Sequence, residues 1–157
     1  MTTRNTRRAP AILALVLSLM ACAESGSTGP RFEIKRSLAE GVWVRERPET
    51  YSFTLYRSCE CLPEMTGPVT VMVNGDDVVA RRYDRTGAAV TITFAGLFPN
   101  VEGMFSIIDA ALERDAARIE VQYDATYGYP TRILIDYDGQ WGNDDEVVYT
   151  ISNFQTP

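Results

Sequence analysis

Val69-Thr-Val-Met-Val-Asn-Gly-Asp-Asp-Val-Val-Ala-Arg-Arg-Tyr83 is two strands and the turn that joins them. Val69, Val71 and Val73 recur at every second position, which places them on one side of a pleated strand. Asn74-Gly75 supplies the positive-φ turn chemistry of a tight hairpin, and Val78 to Tyr83 forms the return strand. On the N-terminal side, Tyr51-Ser-Phe-Thr-Leu-Tyr-Arg57 alternates large apolar with polar residues and predicts a half-buried strand that runs into Cys59-Glu60-Cys61.

Further out the period changes. Val101, Met104, Phe105, Ile108 and Leu112 fall at helical spacing, so one face of a helix is apolar and covers the sheet while Asp109, Glu113 and Arg114 stay wet. Arg31 to Arg47 carries Ile34, Leu38 and Val42 near the same spacing and stops before Pro48, which predicts a first helix with those residues inward, although Gly41 weakens it. Val90 to Phe94 reads as a short strand or an extended lead-in. Ile119 to Tyr123 and Arg132 to Tyr137 read as strands joined through Tyr127-Gly128-Tyr129-Pro130, and Glu146 to Phe154 as a last strand. The order predicts an α+β fold: an antiparallel sheet of about five to seven strands with two helices packed on one face, built from residues 31–157 as one domain.

The N-terminus reads differently. Arg4, Arg7 and Arg8 precede an apolar stretch from Ala11 to Ala21, and Leu19-Met20-Ala21-Cys22 has the form of a bacterial lipobox. A membrane span needs roughly 20 apolar residues. This run begins after Pro10 and is broken at Glu24, so residues 1–21 are expected to be a signal peptide and Cys22 the site of lipid attachment. Ala23 to Pro30 is small, polar and turn-forming, so residues 22–30 are expected to tether the domain to its acyl chains, palmitate among them. Ala23 is not the aspartate that holds such proteins at the inner membrane, so in a two-membrane cell the expected location is the outer membrane, facing the periplasm.

The whole chain of 157 residues has a formal charge of −6, and the three leader arginines are accompanied by no acid. The domain behind the leader is therefore more acidic still, which argues against nucleic acid and against a polybasic second membrane contact. There are three cysteines and no histidine. With Cys22 lipidated, Cys59 and Cys61 remain as an even pair in an oxidising compartment. The lack of histidine removes the commonest general base and the commonest transition-metal ligand.

Trp43, Tyr51-Ser-Phe53, Ser58-Cys59-Glu60-Cys61, the Val69 to Gly75 strand, Met104-Phe105 with Ile108, Tyr123-Asp124, Gly128-Tyr129-Pro130 and Ile135-Asp136 up to Asp145-Glu146 form a line of motifs. Together they resemble a bacterial envelope lipoprotein family, domain of unknown function 6174. The resemblance covers nearly the whole chain after the leader. It implies the fold and the envelope location, and it carries no activity.

Residues i and i+2 of a flat strand lie roughly 6.5 to 7 Å apart, at the far edge of disulfide geometry. A bend would close Cys59 onto Cys61, and Pro63 and Gly67 fit a chain leaving its strand there. A structural bridge that holds the strand end is the leading reading. A redox-active pair and a metal site, the latter half empty without histidine, are the alternatives. Asp136, Asp138, Asn143, Asp144, Asp145 and Glu146 gather oxygen donors, but Gly139 comes too early and Gln140 stands where a donor belongs, so a solvated turn is preferred to a calcium loop. No carboxylate pair has a meaningful spacing, and Ser52, Ser58 and Ser106 lack any histidine to activate them; no catalytic residue, cofactor or metal is expected.

Trp43, Tyr51, Phe53, Tyr123, Tyr127, Tyr129 and Trp141 are expected mostly in the core. Tyr127 and Tyr129 flank a turn glycine, so at least one should be exposed, and that turn is the candidate partner-binding edge. The expectation is a non-enzymatic, lipid-anchored envelope protein that binds a protein, peptide or small ligand near the membrane. The alternative is a thiol-redox or metal-handling lipoprotein using Cys59 and Cys61.

Overall fold

The structure, a computed structural model, describes residues 29–139 and 146–157. Pro30–Glu46 forms helix α1, Thr50–Ser58 strand β1, Val69–Asn74 β2 and Asp77–Tyr83 β3. Ile92–Ala95 is a single helical turn, α2, and Val101–Glu113 is helix α3. Arg118–Tyr123, Pro130–Asp136 and Val147–Gln155 are β4, β5 and β6. The six strands make one antiparallel sheet in the order β3-β2-β1-β6-β5-β4, so two three-strand meanders meet at the β1–β6 pair. Six strands and two long helices agree with the α+β fold expected from the periods.

One side of the sheet carries the core. Tyr51, Phe53 and Leu55 of β1, Val69, Val71 and Val73 of β2, and Ile133 and Ile135 of β5 are buried there at alternate positions. Helix α3 covers them with Val101, Met104, Phe105 and Ile108, and Asn100 caps it by accepting the Gly103 amide at 3.0 Å. Val90 extends the β3 edge through its amide to Arg81, as a lead-in would. Ile92 to Ala95 then turns helical instead of pairing, and Ile92 is fully exposed, so its β-branched run has no buried side to alternate against.

Helix α1 forms where expected but with a different side inward. Ile34 and Leu38 are exposed and Val42 is half-buried, whereas Trp43 is buried and Phe32 and Arg36 pack beneath the helix. Nine positions separate Ile34 from Trp43, about two and a half turns at 3.6 residues per turn, so the two side chains point to opposite sides. The indole decides the orientation because it is the largest apolar group available, and it meets Tyr51 edge-on at 5.2 Å. Arg36 adds a lateral tie, donating to Asp109 of α3 at 2.5 Å while its guanidinium lies over Phe105.

Candidate functional site

Glu102, in the first turn of α3, is where three elements are joined. Its carboxylate accepts from the Trp43 indole at 2.8 Å and from Arg47 at 2.5 Å, and the Tyr51 hydroxyl donates to it at 3.4 Å. Arg47 also pairs with Asp76 at 2.8 Å, and these hydrogen bonds raise its pKa. Burial, reinforced by the Glu102 charge, pushes the Tyr51 hydroxyl far above its usual range. The constellation is chemically static: a neutral phenol and two satisfied charges that fasten α1 to the sheet.

The Gly128-Tyr129-Pro130 turn belongs to the same fastening. Tyr129 is buried, stacked on Phe154 at 4.5 Å and edge-on to Trp43 at 6.4 Å. Tyr127 is half-buried and packs on Phe154 at 5.4 Å. Asp124 shapes the turn by accepting the amides of Thr126 and Tyr127 at 2.9 and 2.7 Å. Of the candidate binding edge, Tyr129 is therefore packed into the core beneath α1, while Tyr127 stays partly exposed. Gly128, at φ +78°, permits this packing, since a Cβ there would meet the Ala39 carbonyl of α1.

Cys59 and Cys61 are joined as a disulfide with Cα atoms 5.4 Å apart. The separation is shorter than a flat strand allows because β1 ends at Ser58 and the Cys61 amide returns to the Cys59 carbonyl at 2.9 Å, closing a three-residue turn. Arg57 lies beside it. Its Nη1 is 3.1 Å from the Cys59 sulfur and 3.4 Å from the Cys61 sulfur, and its Nε donates to the Tyr149 hydroxyl at 3.4 Å. Arg57 shares the core-facing parity of Tyr51, Phe53 and Leu55, and a cation at such a position was the available sign that it had a partner.

The opposite side of the sheet is unevenly covered. Toward β5 that side closes, with Leu134 and Asp136 buried and Asp136 accepting the Gly139 amide. Over β1, β2 and β3 it is open: Tyr56 is 44 %, Met72 45 % and Val79 60 % exposed. Between them Asp84 accepts from Thr70 at 2.6 Å and from Thr54 at 3.4 Å, which arrays hydroxyls on the surface. An open groove of about 420 Å³ runs past Ser52, Met72, Val79 and Gln155. This face is amphipathic and open. Sequence reading passes over it because its residues are the ordinary outward members of alternating strands.

Cys22, Trp141 and residues 140–145 of the acidic segment lie outside the described residues. Among the described residues no group of three or more acidic or cysteine side chains is placed to hold a metal ion. None of the described helices is long and apolar enough to cross a membrane. A model for a family of unknown function, DUF6174, matches residues 35–156. No curated protein and no solved structure matches the chain.

Proposed function

The chain belongs to the DUF6174 family of unknown function, so its role has to be read from its own residues, and we propose that it is a lipid-anchored bacterial envelope protein that binds a protein partner near the membrane. Cys22 carries the acyl chains, the segment between it and α1 is the tether, and the open β1–β2–β3 face is the docking surface. The observation that carries the binding reading is the exposure of Tyr56, Met72 and Val79 around the Thr54–Asp84–Thr70 hydrogen bonds. Aromatic residues and methionine are enriched at interface cores, so the exposed Tyr56 and Met72 on either side of a row of surface hydroxyls suit a docking surface. A small ligand needs a concavity that buries most of its surface, and the groove here is open, which favours a macromolecule. The lipobox and a cysteine pair that suits an oxidising compartment support the envelope location.

Two measurements test this. Labelled palmitate should enter the wild-type protein and not Cys22→Ala, and equal labelling of both ends the anchoring assignment. Tyr56→Asp with Met72→Lys should melt as the wild type does, since both residues are half in water, and should lose a partner that the wild type captures from envelope extract. Equal capture by both proteins removes the open face from the function.

A further inference from the structure

Arg57 directs its positive charge at the two disulfide sulfurs. Arg36, Arg47 and Arg118 each hold a carboxylate, whereas Arg57 has no carboxylate partner among the described residues. Its amide is fixed by the Thr66 carbonyl at 2.7 Å, and its guanidinium lies 5.8 Å from the centre of the Tyr149 ring. Glu60 within the turn and Glu64 just after it are exposed and do not pair with it. A disulfide sulfur is a weak acceptor and gains little from this donor, whereas a thiolate is a full anion and gains much. The site therefore favours the reduced, ionised state over the oxidised one. Both cysteines are only half-buried. Electropositive, partly exposed surroundings distinguish reactive cysteines from inert buried ones.

We infer that Cys59–Cys61 is a reversible redox pair that exchanges electrons with a protein dithiol, and that Arg57 makes it so. A thiolate of the dithiol attacks Cys61 Sγ, a mixed disulfide forms there, the Cys59–Cys61 bond breaks, and its electron pair stays on Cys59 Sγ beside Arg57. The second thiol of the dithiol loses its proton and attacks its neighbour in the mixed disulfide, which releases Cys61. The dithiol leaves as a disulfide, having supplied two electrons and two protons; Cys61 keeps one proton and the other passes to solvent while Cys59 remains a thiolate. This activity is separate from docking on the open face, and its failure would leave that reading untouched.

The mature chain is equilibrated in reduced and oxidised glutathione, trapped with iodoacetamide and weighed intact; after full reduction, its alkylation rate is followed against pH. The folded wild type should be reduced reversibly, and its first thiol should react with a midpoint at least one unit below the free value of about 8.5. Arg57→Gln should raise that midpoint and make the pair about tenfold harder to reduce, a shift of about 30 mV, and Arg57→Lys should restore most of the loss. A wild-type midpoint at or above the free value, or reduction only after unfolding, overturns the inference whether or not the variants fold. Unchanged values in a folded Arg57→Gln overturn it as well.

Discussion

Gly128 and Tyr123 illustrate how much rests on single atoms. Gly128 has a positive φ and sits where a Cβ would strike α1, so Gly128→Ala combines backbone strain with displacement of the helix. It should cost about 2 kcal/mol or more, read as a lowered denaturation midpoint, while Gly41→Ala, which meets nothing within contact distance, should not destabilise. Tyr123 stacks on Phe105, and its hydroxyl is buried with no hydrogen-bond partner among the described residues. Burial pushes its pKa up to about 12. Because the folded pKa lies above the unfolded value near 10, the folded state binds more protons in between, so the contribution of Tyr123 to stability is constant below about pH 10 and falls as pH rises toward 12. Tyr123→Phe should therefore keep its stability at neutral pH and lose less of it above pH 10, as chemical denaturation across pH would show. Tyr51, shifted the same way, leaves part of the alkaline loss in place.

The two long helices contrast at the scale of the element. In α3 the apolar stripe in the sequence is the stripe in the core, because five apolar residues at helical spacing outweigh any other orientation. In α1 the residues of similar spacing point outward, because one indole with its hydrogen bond to Glu102, together with the Arg36–Asp109 pair, turns the helix the other way. Ile34→Ser with Leu38→Ser should thus change stability by no more than about 0.5 kcal/mol. Ile108→Ala in α3 should cost about 2 to 5 kcal/mol and Trp43→Ala about 3 to 5. Urea denaturation of the three proteins checks the orientation of both helices, and a large loss in the Ile34/Leu38 variant would contradict the one described.

For the whole molecule the decisive contact is β1 with β6. These strands come from opposite ends of the fold and sit side by side at the centre of the sheet, with Leu55 opposite Ile151 and Arg57 opposite Tyr149. Deleting residues 147–157 would open the sheet between its meanders and expose Leu55 and Ile133 to water. The truncated chain should show no cooperative thermal transition by circular dichroism, whereas loss of an edge strand could leave one.

Strand periods, the Asn74-Gly75 turn and the α3 stripe were legible in the sequence because each is local: alternation and helical spacing act over a few residues and need no partner. The α+β class and the six strand segments followed from them, while the pairing of Cys59 with Cys61 came from counting cysteines. Tertiary structure alone decided which side of α1 is buried, the inward packing of Tyr129, the openness of the face around Tyr56 and Met72, and the aim of Arg57 at two sulfurs. Each of these depends on groups far apart in the chain, where the burial of one large ring or the pairing of one charge outweighs the preference of the segment that carries it.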